Sequence, residues 1–194
     1  TRVTDIRSLA LMMDLAMMGS GTGAVIEDRL ISNIPAVRNR ITIQDVGSVG
    51  GTAPENRRDH TYVEVKGNTV VISCGDSRGG WVDAYEAFLD LAFSKEFDHT
   101  RSVKVHVDLS RVRAAGTRLK GFGGTSNPIK LPELFPKLAK ILNNAYGRQL
   151  TSVEICLLND DAACVVVAGN NRRSAGMRKF SSDDDQAIVA KYKL

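Results

Sequence analysis

The sequence predicts an α/β fold, and three observations predict it. Short runs of alternating apolar residues recur along the chain, at 40–46, 62–73 and 103–109, with the two-residue period of strands. Between them lie segments whose apolar residues fall three and four apart, the period of a helix face. A glycine-rich, basic stretch, Arg113 to Glu133, then joins a strand to a helix, which is the arrangement α/β proteins use around phosphate.

The first helix is expected over Thr4 to Met18, with Thr4 as its N-cap and Ile6, Leu9, Ala10, Met13 and Met17 on the inward face. Its methionines read as core packing. Gly19-Ser-Gly-Thr-Gly23 stops that helix, and Ala24-Val-Ile26 follows as a short buried strand. Residues 40–46 form the next strand, and the polar segment from Gly47 to His60 reads as a mobile loop. Tyr62 to Lys66, Gly67-Asn68 and Thr69 to Ser73 carry a hairpin signal. A helix from Gly80-Trp81 carries Tyr85, Phe88, Leu89 and Ala92 on one face, with Trp81 as a packing anchor. After the basic loop, Leu134, Leu138, Ile141, Leu142 and Ala145 mark another helix, stopped by Gly147. Thr151-Ser-Val-Glu154 has the form of a capping box, opening a helix expected to turn Val153, Cys156, Leu157, Ala163 and Val167 inward and to end at Ala168-Gly169. A basic loop at 170–178 comes next, and Ser181 to Lys191 reads as a final helix, acidic at its start.

With 43% hydrophobic and 25% charged residues the composition is that of a globular domain, and 194 residues are read as one domain with no linker. No apolar run reaches the length of a membrane span, and no secretory leader is recognisable, so a cytoplasmic location without membrane partners is expected. A net charge of +4 with arginines in glycine-rich segments favours phosphorylated small molecules over a nucleic-acid groove. Aromatic residues do not interleave with the basic ones, which counts against RNA binding. Cys74, Cys156 and Cys164 have no metal-like spacing, and neither do His60, His99 and His106, so no metal site is expected. Cys156 and Cys164 read as buried inert thiols and Cys74 as the more accessible one. The chain starts at Thr1 and reads as a piece of something longer.

In the basic stretch, Gly121, Gly123 and Gly124 lie beside Arg113, Arg118 and Lys120. Glycines let backbone N–H groups approach an anion, and the cations neutralise it. The spacing fits neither a Walker loop nor a dinucleotide fingerprint, so the residues alone indicate an anion site, with a nucleotide as the expected ligand.

Five motifs in order carry a more specific resemblance: Gly19-Ser-Gly-Thr-Gly23, Gly75-Asp-Ser-Arg-Gly-Gly-Trp81, Gly121-Phe-Gly-Gly124, Gly147-Arg-Gln-Leu150 and Ala168-Gly-Asn-Asn-Arg-Arg-Ser-Ala175. Together they resemble adenosylcobalamin-dependent (class II) ribonucleotide reductases, nearest the monomeric, triphosphate-reducing type of cyanobacteria and their phages. The resemblance runs from about Asp5 to the C-terminus. It implies about the first half of a ten-stranded α/β barrel with a β-hairpin insertion. It also implies radical reduction of ribonucleotides to deoxyribonucleotides for DNA replication, with adenosylcobalamin as cofactor and thioredoxin-like reductants. The thiyl-bearing finger loop of that family has no counterpart here and the early redox cysteine would precede Thr1, so no catalytic residue is assigned. A C-terminal half would have to supply the radical cysteine, and the chain alone is expected to be inactive.

Residue by residue, the resemblance implies a substrate-pocket role for Ser20, Gly21, Thr22 and Gly23, though a plain helix stop and tight turn explains them equally well. Gly121, Phe122, Gly123 and Gly124 resemble a flexible loop near substrate and effector. Gly169, Asn170, Asn171, Arg172, Arg173 and Ser174 resemble the specificity loop that links a deoxynucleotide effector to the substrate base. There the arginines suit phosphate or base edges, or else pair with Asp183 to Asp185. Asp5 falls where relatives meet an effector ribose. A second reading keeps the loops and drops the catalysis, giving a nucleotide-binding regulatory module. Half a barrel would also leave strand edges unpaired, so a tight partner or aggregation is expected.

Overall fold

A computed structural model describes residues 1–119, 124–166 and 175–190. Among these, six strands form two sheets. Strands β2 (Ile41–Val46), β5 (Val103–Asp108), β4 (Thr69–Ser73) and β3 (Tyr62–Lys66) lie side by side in that order. The first three are parallel and β3 is antiparallel to β4. Strand β1 (Thr22–Ile26) pairs in parallel with β6 (Gly176–Phe180).

The alternation in the sequence sets which face is buried. Val103, Val105 and Val107 of β5, with Val70 and Ile72 of β4, are fully buried. Their neighbours Lys104 and His106 face the other way, His106 pairing with Asp45 across the bulge in β2. Helices cover the apolar face. Helix α3 (Arg78–Asp90) brings Ala84, Tyr85, Phe88 and Leu89; α4 (Leu131–Asn144) brings Leu134, Phe135, Leu138 and Leu142. Phe88 and Phe135 meet edge to face with centroids 5.3 Å apart, a geometry that adds about 0.5–1.5 kcal/mol to area burial. Pro136 sits on the exposed side of α4, where water can serve the carbonyl that loses its N–H partner.

Helix α1 (Ile6–Met17) packs on α3 and on α5 (Ser152–Val165). Asp5, not Thr4, is its N-cap: its side chain accepts from the Ser8 N–H at 2.8 Å and the Ser8 hydroxyl at 2.6 Å. A carboxylate is as good a cap as a hydroxyl, and it also suits the positive end of the helix. The helix ends at Gly19, whose φ of 77° is left-handed; Gly19 N–H reaches the Ala16 carbonyl and Ser20 N–H the Leu15 carbonyl. That pair of bonds is a Schellman stop.

The capping box at Thr151 and Glu154 is present, and Arg148 holds the Glu154 carboxylate at 2.8 and 2.7 Å. The inward face of α5 differs from expectation. Ile155, Leu158, Asn159, Ala162 and Val165 are buried, whereas Leu157 is 47% exposed and Val153, Cys156 and Ala163 are half-buried. Apolar residues surround this helix, so periodicity alone selects no face; packing between α1 and α4 does. The helix ends at Val165, before the expected stop, and Val167 and Ala168-Gly169 lie outside the described residues.

Further differences from the sequence expectation appear along the chain. Met177 and Arg178, read as loop, belong to β6: Gly-Met-Arg-Lys-Phe lacks strand alternation and is extended because β1 pairs with it. The last helix, α6, is only Asp185–Val189, capped by Asp184. A four-residue helix, α2 (Asp28–Ile31), fills a segment not assigned from the sequence. The segment 47–60 is tied down by backbone bonds from Gly50 and Thr52 to the Val112 and Ser110 carbonyls. Strand β3 is exposed at every residue, Tyr62 at 64%, and is the outer strand of its sheet.

Candidate functional site

The parallel strands β2, β5 and β4 end at one edge of the sheet, the side on which open α/β sheets place ligands. After β4 the chain passes through Cys74-Gly75-Asp76-Ser77 into α3, and Ser77 caps that helix by accepting from Gly80 N–H at 2.9 Å. A strap formed by residues 57–61 crosses this turn. The Arg58 carbonyl accepts from Asp76 N–H at 2.8 Å, and the Asp59 carbonyl from the Ser77 hydroxyl at 2.5 Å. Thr61 Oγ1 accepts from Gly75 N–H at 3.0 Å and donates to the Gly80 carbonyl at 2.5 Å. The strap comes so close that a Cβ on Gly75 would lie 2.3 Å from the Asp59 oxygen, which is why a glycine stands there.

Asp76 is the node of this turn. Its Oδ1 accepts from the backbone N–H and the Nε of Arg113, both at 2.9 Å, and Arg57 stands 3.8 Å from Oδ2. Arg113 also donates to the Asp76 carbonyl at 3.0 Å. Arg113, expected to neutralise a bound anion, is thus committed to Asp76. The loop after β5 folds back on itself: Gly116 N–H meets the Ser126 carbonyl, Ser126 N–H the Thr117 carbonyl, and Leu119 N–H the Gly124 carbonyl. Gly124 therefore helps close the loop through its carbonyl; Lys120, Gly121, Phe122 and Gly123 lie outside the described residues.

These elements enclose a groove of about 240 Å³. Met17, Trp81, Leu119 and Val166 supply apolar wall, and Asp76, Ser77, Arg78 and Arg113 supply the polar end. The N-terminal turn of α3 opens onto it, the end at which a helix dipole favours anions. Asn127 is also in the wall, and its buried Oδ1 accepts no bond from the described residues. Arg78 stands 3.3 Å from Asp14. An apolar slot with a cationic, N–H-rich end is suited to a flat ring bearing an anionic group.

The residues flanking the three glycine loops meet in this groove: Met17 precedes Gly19 to Gly23, Leu119 precedes 120–123, and Val166 precedes 167–174. Ser20 is half-buried and Gly21 exposed, whereas Thr22 and Gly23 are part of β1, in register with Gly176 and Met177. Gly169, Asn170, Asn171, Arg172, Arg173 and Ser174 lie outside the described residues. Asp5 is exposed at the opposite end of α1 from Met17, engaged as a cap.

The thiols are not poised for chemistry. Cys74, expected to be accessible, is fully buried under the strap, and burial pushes its pKa up to about 12, against the opposing pull of its hydrogen bond with Thr61. Cys156 is half-buried, and burial together with Asp160 raises it to about 11. Among the described residues no group of three or more His, Cys, Asp or Glu is arranged to hold a metal ion. A corrin exceeds the drug-sized ligands that fill pockets of about 300–1,000 Å³, so the 240 Å³ groove does not fit that cofactor. Sequence reasoning singled out Asp76 and Ser77 within the Gly75 to Trp81 motif but gave them no role, and it missed the strap. The usable signal was Ser77 three residues before Gly80 at the head of an amphipathic run.

Residues 55–142 match the family model described as the insertion domain of B12-dependent ribonucleotide reductase. The chain is 32% identical over 160 residues to the adenosylcobalamin-dependent ribonucleoside-triphosphate reductase of Lactobacillus delbrueckii subsp. bulgaricus, covering 75% of this chain and 20% of the relative. The enzyme of that name from Lactobacillus leichmannii matches with the same identity and coverage. A crystal structure of a B12-dependent (class II) ribonucleotide reductase superposes on 97% of this chain and 26% of its own, with a TM-score of 0.78 and 27% identity. The chain therefore spans about a fifth of the length of these curated relatives, and it resembles one portion of the adenosylcobalamin-dependent reductases.

Proposed function

We propose, from its likeness to one portion of a class II reductase, that this chain is the nucleotide-holding part of an adenosylcobalamin-dependent ribonucleotide reductase. The reaction of the whole protein is replacement of a ribose 2′-hydroxyl by hydrogen, with ribonucleoside triphosphates as substrates, as in the names of the relatives. Adenosylcobalamin, when bound to the complete protein, supplies the initiating radical. The radical cysteine belongs to the remainder of a ten-stranded barrel, to which β1 and β6 contribute early strands, while β3, β4 and β5 fall in the stretch matched to the insertion domain, and this chain by itself does not turn over. A deoxynucleotide effector, a thioredoxin-like reductant and a cytoplasmic setting complete the proposal.

The observation that carries this reading is the convergence of Met17, Leu119 and Val166, the flanks of three glycine loops, on one groove at the carboxyl edge of a parallel sheet. Within the groove the apolar wall takes the base, and the helix terminus faces the phosphates. Arg172 and Arg173 follow Val166 closely in sequence, and in this reading they link effector base to substrate base. In the same reading Ser20, Gly21, Thr22 and Gly23 serve the substrate pocket, and Gly121, Phe122, Gly123 and Gly124 belong to a loop that serves substrate and effector.

The test uses the full-length protein with its cobalamin. Arg172→Ala and Arg173→Ala are expected to weaken nucleotide binding or base discrimination by about tenfold or more, because hydrogen bonds to charged groups contribute about 1.5–3 kcal/mol. Unaltered affinity and base preference in both variants would remove that loop from the site. Failure of the wild-type protein to bind any nucleotide would refute the proposal as a whole.

A further inference from the structure

Both arginines that line the groove are already matched with a carboxylate. Arg78 faces Asp14 at 3.3 Å, and Arg113 is held by Asp76 through three hydrogen bonds of 2.9 to 3.0 Å. The second pairing is the tighter. Asp76 is only 6% exposed, Arg57 flanks its other oxygen at 3.8 Å, and the strap fixes its backbone through the Arg58 carbonyl. Nothing in the packing of α3 requires a carboxylate here, since Ser77 already caps the helix.

We propose that Asp76 is a specificity-determining residue of the groove, which withholds Arg113 from free polyphosphate so that a ligand must also satisfy the apolar wall. The inference rests on the nucleotide-binding reading above. A guanidinium without a partner grips any phosphate chain, bidentately and without regard to the base attached to it. Paired, its Nε and one Nη point at Asp76, so those donors are turned away from a ligand. Selectivity is a difference between affinities, and it grows when the competitor is denied a contact that the true ligand does not need. Met17, Trp81, Leu119 and Val166 offer a base the compensation that bare polyphosphate cannot collect.

The test titrates inorganic tripolyphosphate and a ribonucleoside triphosphate into the full-length protein by calorimetry, comparing wild type with Asp76→Asn and the double variant Asp76→Asn/Arg113→Gln. Asp76→Asn keeps the shape and releases the charge. It is expected to bind tripolyphosphate about tenfold more tightly, with a smaller gain for the nucleotide, so that the ratio of the two affinities falls. The double variant restores the net charge and is expected to return to wild-type values. A purely structural Asp76 gives the opposite sign: tripolyphosphate binding unchanged or weaker in Asp76→Asn that still melts cooperatively overturns the proposal. Should Asp76→Asn not fold, Asp76→Ser takes its place with the same two readings, and a tenfold loss in the double variant, which would mean that Arg113 itself grips phosphate in the wild type, also overturns the proposal. A wild-type protein that binds no nucleotide defeats the functional reading, while the tripolyphosphate comparison still judges Asp76.

Discussion

Gly79 and Gly80 are neighbours in the first turn of α3, and substitution of each by alanine is expected to change stability in opposite directions. A Cβ on Gly79 would have a single neighbour, Ser77 Oγ at 3.9 Å, so it adds no clash. Alanine there gains helix propensity and restricts the unfolded chain, a stabilisation of about 0.5–1 kcal/mol. A Cβ on Gly80 would lie 2.6 Å from the Asp59 carbonyl oxygen and 2.7 Å from Gly75 Cα, about 0.8 Å inside ordinary contact with that oxygen. Both obstacles are backbone, so the strap must lift. Four hydrogen bonds hold it, from Asp76, Ser77, Gly75 and Thr61. Overpacking of this kind costs about 1–3 kcal/mol, and each strap bond that breaks costs about 0.5–1.5 kcal/mol. A net loss of about 3 kcal/mol follows, or about 6–12 °C in Tm for a chain of this size. Thermal melting and urea titration of Gly79→Ala and Gly80→Ala, side by side, measure both. Equal shifts of the same sign, or a Gly80→Ala protein as stable as wild type, would refute the close-packed strap on which the groove geometry depends.

Further expectations follow from individual contacts. Because burial raises the Cys74 thiol from 9.0 to about 12, the folded state retains a proton that the unfolded chain releases. Stability from this group is complete below pH 9.0 and is lost as pH rises toward 12, so Cys74→Ala should flatten the alkaline fall in Tm, and native Cys74 should resist thiol reagents at pH 8. Asp5→Ala should cost about 1 kcal/mol and Asp5→Asn only a few tenths, since asparagine also caps. If Asp5 additionally meets an effector ribose, both variants lose effector response, which a turnover assay of the full-length protein would register. Thr151→Ala breaks the capping box at its Glu154 N–H and should destabilise by about 1 kcal/mol, read by urea titration; no change would mean that Arg148 alone holds that helix start.

Much of the local structure was legible in the chain because local physics decides it. The hairpin at Tyr62 to Ser73 pairs as its alternation and Gly67 demand, and the capping box at Thr151 forms from four adjacent residues. The helix stop at Gly19 needs only a left-handed glycine. Elements whose shape depends on a distant neighbour were misread. Strand β6 is extended because β1, some 150 residues earlier in the sequence, offers it a parallel edge. The inward face of α5 was chosen by α1 and α4, since apolar residues all round left the helix without a preferred side. Cys74 looked accessible at a strand end and is sealed by a strap that its own neighbourhood does not announce.

The same division applies to the candidate site. Glycine clusters and arginines in order along the chain suggested a reductase family and raised the expectation of an anion site, because backbone access and positive charge are properties of the residues themselves. Which arginines remain available is a tertiary matter. Asp76 and Arg113 are far apart in sequence, and only the return of the chain after β5 brings them to 2.9 Å, converting an expected phosphate ligand into one half of a part-buried ion pair. Residue chemistry and short-range spacing determined what kinds of groups this protein carries. Long-range packing determined which of them face the groove, because the free energy that settles a charge depends on the partner and the solvent around it, and those are assembled only by the fold.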